Sequence, residues 1–409
     1  MGIAMFKEQY RLLRQKSLRQ YTLSCMLAMF GNGLTYIIMV WVLMHFDASV
    51  VSTAILMTCF WLPNVLFGCL CGVLADRWDK QYLLIAVNAA RTICLFGFAL
   101  LGNEYETPLA IYILAAVLGT LLAAYVPAAM SFVRELVSSK DLLYGNALAD
   151  MAYEVGAVAG MGCAGFILAL SSFTTCFMIN ALCYLLATLI LIKIKLPQRV
   201  RKTMSNQSFN SQFVQGWRYI KIRPILLLVY LTQGLFFISY MTAPVLLAPY
   251  AKNVLHSSVS QFGWLESGLS LGIILGGFIA PYCASYFSVF KVIIGQIILG
   301  ILGFYLFSHT LDNNWAIFYH FLIGFSFSSW ALITTFAQEM TDIDYQGRVQ
   351  SLFNSFSGVV IILFYYLLSQ WKDLPITNLY FGEIGLLLLA IFILIYVGFS
   401  SNNEREVMN

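Results

Sequence analysis

The stretch Gly72-Val73-Leu74-Ala75-Asp76-Arg77-Trp78-Asp79-Lys80 places several charged residues between two long apolar runs. Those runs cover residues 49–73 and 82–102. A helix needs roughly 20 apolar residues to cross a hydrocarbon layer of about 30 Å, so each run is long enough to span a membrane. The charged residues between them are therefore expected to form a short loop at the membrane surface.

The rest of the chain repeats this pattern of apolar runs. Only 10% of the 409 residues are charged and 60% are hydrophobic, whereas a soluble domain carries about 25% charged residues. Lipid must therefore be the main solvent, and we predict an all-α membrane protein with twelve transmembrane helices. No run alternates as a barrel strand would, and the first is too long and starts too late for a cleaved signal peptide. The other ten runs are 20–45, 108–134, 142–170, 173–192, 224–250, 259–285, 290–309, 315–338, 348–370 and 376–399.

The basic residues predict the orientation of these spans. With a cytoplasmic N-terminus, 20 of the 23 Lys and Arg residues fall on the cytoplasmic side, and only Lys252 and Lys372 fall outside. Arg91 lies within the third span. Cytoplasmic loops of membrane proteins are enriched in Lys and Arg, so both termini are predicted to be cytoplasmic. The net charge of +4 then faces anionic lipid, and we expect no nucleic-acid partner.

One long polar stretch divides the twelve spans into six and six. We predict an N-terminal six-helix bundle over residues 1–193, a cytoplasmic linker over 194–223 and a C-terminal bundle over 224–409. The end of the linker, residues 213–222, could form an amphipathic helix on the membrane surface or be a solvated connection. The ends of spans four and ten echo each other, since each has a Phe followed three residues later by a Glu and then a loop with Asp141 or Asp342. Two pseudo-symmetric bundles are expected from such a repeat.

The charged stretch itself resembles the G-x-x-x-D-R-x-x-K/R signature of the major facilitator superfamily, a family of membrane transporters. That resemblance implies two six-helix bundles around one central cavity. It also implies a cytoplasmic gate formed by Gly72, Asp76, Arg77 and Lys80, in which Asp76 caps the eleventh span. Arg77 and Lys80 can pair with Glu135 at the foot of span four. An ordinary charged loop that follows the positive-inside rule is the alternative.

Several other stretches resemble one subgroup, the bacterial proton-driven exporters that include macrolide efflux pumps and the enterobactin exporter. They include residues 30–41 in span one, 125–128 in span four, 145–148 in span five and 347–349 in span eleven. The similarity implies a multi-pass protein of the bacterial inner membrane. The chain departs from this pattern, since span one carries Asn32 where an acid is common and Gly160 in span five is not followed by proline. The second half keeps no intact copy of the loop signature. Direction and proton site therefore do not follow from the resemblance.

Ionisable residues at membrane depth are the strongest site candidates because burying charge in lipid is costly. Asp150 and Glu154 are four residues apart on one face of span five, at depths of roughly 13 and 20 Å. Two carboxylates this close in a low dielectric should not both stay ionised, so the pair can bind a proton or a cationic substrate. Alternatively, one of them forms a structural ion pair with Arg91, which can itself contact either an anion or a structural partner.

The remaining candidates are polar and aromatic. Glu266 in span eight is a further candidate for proton coupling or substrate binding. It could also be an extracellular gate or simply reach the interface, and these last two alternatives hold for Glu383 in span twelve. Asn32 and Gln233 could bond to substrate or to neighbouring helices. We expect His320 to be a structural histidine. Spans one, four, seven and ten line the cavity in the superfamily, which implies a cavity wall of Tyr36, Tyr125, Phe237, Tyr240 and Trp330.

These observations favour a secondary transporter that exports an amphiphilic organic molecule, such as a siderophore or drug, against protons. An importer of a siderophore, metabolite or lysophospholipid with the same fold is the alternative. An enzyme is not expected, because the chain has no HExxH motif and no nucleotide-binding glycine loop. The nine cysteines lie in apolar runs as packing residues, and we expect no metal and no cofactor. The working unit is expected to be a monomer.

Overall fold

The computed structural model describes residues 10–101, 107–138, 141–195, 209–371 and 374–407. Over these ranges the chain is helical and contains no strand, as its apolar runs predict. The first six runs form α1 Lys16–Phe46, α2 Val50–Arg77, α3 Lys80–Leu101, α4 Pro108–Leu136, α5 Leu142–Leu170 and α6 Phe173–Ile192. After the linker helix α7 Phe209–Lys221, the next three runs form α8 Pro224–Asn253, α9 Val259–Tyr286 and α10 Val289–His309.

The tenth run is interrupted. It forms α11 Asn313–Phe327 and α12 Ser329–Glu339, which meet at Ser328. The carbonyl oxygen of Phe325 accepts hydrogen bonds from Gln296 Nε2 at 3.1 Å and from Ser328 Oγ at 2.7 Å. These side chains compete with the backbone for that carbonyl, which accounts for the break.

The last two runs form α13 Ile343–Gln370 and α14 Ile376–Val407. Within the described residues, eleven helices are long and apolar enough to cross a membrane. The predicted eleventh span, 348–370, lies within α13, and its stretch Phe356–Gln370 is an apolar helix among the residues whose side chains are described.

The chain divides into two compact units. The N-terminal unit comprises Met1–Asp47 and Ile55–Thr203, and the C-terminal unit comprises Ala48–Ala54 and Met204–Asn409. The first turn of α2 thus belongs with the second unit. Residues 196–208 of the predicted linker, 194–223, lie outside the described residues, so its bounds remain a prediction.

Close helix contacts in the N-terminal unit depend on glycine. A Cβ added at Gly160 of α5 would overlap the carbonyl oxygen of Phe30 of α1, and one added at Gly156 would overlap that of Met26. A Cβ at Gly119 of α4 would likewise meet the carbonyl of Phe60 on α2. Small residues of this kind let helix backbones approach closely where lipid gives no hydrophobic drive for association.

The C-terminal unit uses the same device between α9 and α11. A Cβ at Gly324 would overlap the carbonyl oxygen of Leu269, and a Cβ at Gly272 would overlap that of Phe321. Both units therefore contain a helix pair whose separation only glycine permits.

The linker helix α7 packs against the C-terminal unit. Tyr219 and Ile220 are buried in a cluster with Val349 of α13, and the Tyr219 ring stacks on Tyr345 at 4.3 Å. The opposite face is exposed and carries Trp217. Of the two alternatives for the end of the linker, a helix is observed, and it extends over 209–221 rather than 213–222. Its place on the membrane surface remains a prediction. Part of its apolar face is covered by protein.

Candidate functional site

The acidic pair of α5 lies on the surface of the N-terminal unit. Asp150 and Glu154 are both exposed, and they are one helical turn apart. Asp150 lies within electrostatic range of Tyr21 and Cys25 of α1. Among the described residues, no Lys or Arg lies within 4.0 Å of either carboxylate. The pair is therefore free to bind a proton or a cationic group.

Arg91 of α3 occupies the interior of the same unit and is only 1% exposed. Its guanidinium lies between the rings of Tyr125 and Tyr184, 5.0 and 5.1 Å from their centroids. The aromatic faces stabilise the cation electrostatically. The proposed structural bridge to Asp150 or Glu154 is wrong, because the described carboxylates form no ion pair with Arg91.

Arg91 keeps unused hydrogen-bond donors. Neither Nη1 nor Nη2 has a partner among the described atoms, and both amide atoms of Asn88, one turn earlier, are also without one. Buried polar groups are normally hydrogen-bonded. This corner of the unit could therefore accept an anionic or carbonyl group.

The neutral polar candidates mostly join helices. Gln233 is fully buried and donates from Nε2 to Thr334 Oγ1 at 3.0 Å. Asn180 of α6 donates to Thr35 of α1. Both contacts favour the helix-contact reading over substrate binding in this conformation. Asn32 is half-buried beside the tight crossing of α1 and α5.

The gate motif is described in part. The side chains of Gly72, Asp76 and Arg77 lie outside the described residues, although their backbone belongs to α2. Lys80 Nζ lies 3.1 Å from Glu135 Oε1, which joins the start of α3 to the end of α4. This is the pairing expected from the sequence; its role as a gate remains a prediction.

The structure separates the predicted wall residues into two groups. Phe237 and Trp330 contact each other in the C-terminal unit with ring centroids 5.6 Å apart, and Tyr240 packs on Phe327 at 5.1 Å. Tyr36 is half-buried in the N-terminal unit. Tyr125 is only 1% exposed beneath Arg91, so its assignment to a cavity wall is wrong for this conformation.

The two acids of the C-terminal unit are more deeply buried than expected. Glu266 of α9 is 2% exposed and Glu383 of α14 is 3% exposed. The alternative that they reach the interface is therefore wrong. Their burial could not be predicted from helix position, because both lie within about two turns of a helix start. His320 is buried and its Nδ1 donates to the carbonyl of Leu265 at 2.8 Å, in agreement with a structural histidine.

Two arginine–aspartate pairs were missed in the sequence. Arg11 lies 2.5 Å from Asp141, and Arg223 lies 3.4 Å from Asp342. In each unit an arginine that precedes the first helix meets an aspartate that precedes the fifth span. The repeated aspartates were visible in the sequence, and they could have identified these pairs.

The described residues contain no group of His, Cys, Asp or Glu that could hold a metal ion. The cysteines that the structure describes are all free thiols.

Comparison with known proteins identifies the class. The Major Facilitator Superfamily model matches residues 21–365. The chain therefore belongs to the Major Facilitator Superfamily and is a multi-pass membrane transporter.

Two bacterial relatives are similar over most of their length. One is an uncharacterised MFS-type transporter, YfiS, of Bacillus subtilis (strain 168), 22% identical over 396 residues that cover 88% of each chain. The other is the staphyloferrin A transporter of Staphylococcus aureus (strain NCTC 8325 / PS 47), 23% identical, which covers 82% of this chain and 85% of that protein.

Solved transporter structures share the fold. The nucleoside transporter NupG has a TM-score of 0.70 at 16% identity and covers 93% of this chain and 98% of its own. A bacterial homologue of the human lysosomal transporter Spinster has a TM-score of 0.70 at 14% identity and covers 95% and 97%. At these identities the likeness shows the architecture alone.

Proposed function

We propose that this protein is a proton-coupled secondary transporter that exports an amphiphilic organic molecule across the bacterial inner membrane by alternating access. The observation that carries the proposal is the acidic pair on α5. Asp150 and Glu154 are exposed on a transmembrane helix, one turn apart, and no described cation neutralises them. Mid-membrane carboxylates are costly and usually functional.

The pair suits proton exchange on physical grounds. Two carboxylates one turn apart repel each other when both are ionised, so the pair holds its first proton more tightly than an isolated acid does. Binding of a cargo group near the pair would displace a proton, and re-protonation would release the cargo. Proton and cargo then compete, which is the requirement for exchange in opposite directions.

The cargo class we favour is a siderophore. One relative is named as a transporter of staphyloferrin A, and the unused donors of Arg91 could bind the oxygen-rich groups of such a molecule. In this proposal Lys80 and Glu135 hold the cytoplasmic ends of α3 and α4 together when the cavity opens outward. Both termini are cytoplasmic and the working unit is a monomer.

The test uses right-side-out and inside-out vesicles from cells that express the protein. We expect staphyloferrin A, or a cationic dye in a parallel assay, to accumulate in inside-out vesicles when their lumen is made acidic. The variant D150N/E154Q should lose this uphill accumulation and keep exchange of labelled for unlabelled cargo. The control E339Q removes an exposed acid at the end of α12 and should behave as the wild type. Accumulation only in right-side-out vesicles would assign import, and unchanged uphill transport by D150N/E154Q would rule out the pair as the coupling site.

A further inference from the structure

The C-terminal unit buries two carboxylates at the same depth. Glu266 lies about 12 Å along α9 from its cap at Ser258, and Glu383 lies about 10 Å along α14 from its start at Ile376. The loops that precede these helices are at the same end of the unit, because successive helices alternate in direction. Both side chains therefore lie at one level, and both are at most 3% exposed.

Glu383 lies near two hydroxyl groups of α8, those of Thr242 and Ser239. Its Oε1 is hydrogen-bonded to Thr242 Oγ1 of α8, and Oε2 has no described partner. Thr242 Oγ1 also lies 2.8 Å from the carbonyl oxygen of Ile238. A threonine hydroxyl has one proton to donate, and a backbone carbonyl can only accept. The Thr242 proton is therefore available either to Glu383 or to Ile238, so this hydroxyl offsets the charge of an ionised Glu383 only in part.

Glu266 has even fewer partners. Its Oε1 is without a hydrogen bond among the described atoms, and so is the hydroxyl of Ser270 one turn later. Tyr380 of α14 lies within electrostatic range of both glutamates, and its buried hydroxyl also has no described partner. The acids thus face a set of unused polar groups in a dry interior.

No cation compensates these acids. The titratable groups that pack around them are Tyr250 of α8, His320 of α11, Tyr365 of α13 and Tyr380 itself. The helix α10 contributes the rings of Phe304 and Phe307, which pack against Tyr380. In the described part of the unit, no Lys, Arg or His lies within 4.0 Å of either carboxylate.

An ionised carboxylate in such a place would cost several kcal/mol. A bound proton removes that cost. A metal cation is a poorer solution, since Mg²⁺ and Ca²⁺ require six or more oxygen ligands, and the described hydroxyl groups near Glu383 are only those of Thr242 and Ser239. An apolar groove lined by Leu368, Trp371 and Gly382 borders Glu383.

We propose that Glu266 and Glu383 bind protons and form a second proton-binding site, enclosed in the C-terminal unit and separate from Asp150 and Glu154. Release of these protons requires water to enter, because the bare carboxylates cannot remain in the dry interior. Proton binding therefore favours the closed form of this end of the unit. The part this site plays in coupling rests on the proposed function, whereas the binding of protons does not.

Infrared spectroscopy of the reconstituted protein tests the proposal directly. The background is D150N/E154Q, so that the acidic pair of α5 does not contribute. At neutral pH we expect a carbonyl stretch from protonated carboxyl groups that shifts in D₂O, and that loses about half its intensity in E266Q or E383Q and nearly all of it in E266Q/E383Q. The control E339Q should leave this band unchanged.

Three results would overturn the proposal. The first is the absence of a protonated carboxyl band at neutral pH in D150N/E154Q itself. This result can be obtained even if E266Q and E383Q do not fold. The second is a band that survives E266Q/E383Q, and the third is a band that disappears when sodium chloride is added, which would assign a metal cation. If the wild type moves no protons with its cargo, the proposed function is contradicted. The infrared result would still decide whether Glu266 and Glu383 bind protons.

Discussion

The two units of this transporter share features of helix packing and differ in which ionisable side chains are buried. In the N-terminal unit a cation, Arg91, is buried between two tyrosine rings while the acids Asp150 and Glu154 are exposed. In the C-terminal unit the acids Glu266 and Glu383 are buried, and no described Lys or Arg is.

The shared features are those that packing requires. Each unit has a glycine-dependent helix contact and an arginine–aspartate pair ahead of its fifth span. The two units therefore share their mode of helix packing and differ in their buried ionisable groups. This difference gives each unit its own chemistry.

The largest effect is expected from breaking the shared packing. Gly160→Leu should prevent most of the protein from folding, because its side chain would overlap the backbone of α1, at a cost of about 3 kcal/mol or more. Gly324→Leu should do the same in the other unit. The controls are Gly97→Leu and Gly277→Leu, where an added Cβ meets nothing within 4 Å. Fluorescence-detected size exclusion measures the folded fraction, and equal losses at all four positions would contradict the packing account.

The next effect concerns the buried acids. The unfolded chain ionises glutamates at a pH of about 4.3, whereas the buried Glu266 and Glu383 keep their protons. The wild type should therefore lose thermal stability as the pH rises from acidic to neutral, and E266Q/E383Q should lose distinctly less. The two losses in the free energy of unfolding should differ by about 3 kcal/mol, the cost of at least one buried charge without a partner. D150N/E154Q, whose acids are exposed, should follow the wild type. Parallel curves for wild type and E266Q/E383Q would show that the buried acids do not set the pH dependence.

Arg91 is expected to matter less for stability than for transport. Arg91 forms no ion pair with a described carboxylate, so Arg91→Met does not leave a buried negative charge without a partner. We expect the free energy of unfolding to fall by about 1–2 kcal/mol, because the two ring contacts are lost. Transport of staphyloferrin A should fall much more in this variant than in Tyr184→Phe, which keeps the ring. Thermal unfolding and cargo exchange are the measurements. A collapse of the fold would instead reveal a structural partner for Arg91.

The smallest effect is expected at the ion pair between Lys80 and Glu135. A partly exposed pair contributes about 1 kcal/mol or less, so K80A and E135A should each change stability slightly. Their double-mutant cycle should give a coupling of the same size. The more exposed pair of Arg223 and Asp342 should give less coupling still. A coupling that is larger in the C-terminal unit would reverse this ranking.

The architecture could be predicted because lipid imposes it. Apolar length, the distribution of Lys and Arg and the motif at Gly72–Lys80 require no knowledge of contacts, and they anticipate the helices to within a few residues. The break at Ser328 could not be predicted, because it depends on Gln296 from another helix.

The sites were less accessible to sequence reasoning. Helical spacing placed Asp150 and Glu154 on one face, but it could not show that Arg91 turns towards tyrosines instead of them. Glu266 and Glu383 looked shallow when counted along their own helices, since burial comes from neighbours that a single helix does not reveal.

The most direct test of the central claim is a proton measurement in proteoliposomes that contain the pH indicator pyranine. When a gradient of staphyloferrin A is imposed, the wild type should change the internal pH in step with cargo movement. The variant D150N/E154Q should exchange the cargo and leave the internal pH unchanged. Cargo movement by the wild type without any proton movement would contradict the account.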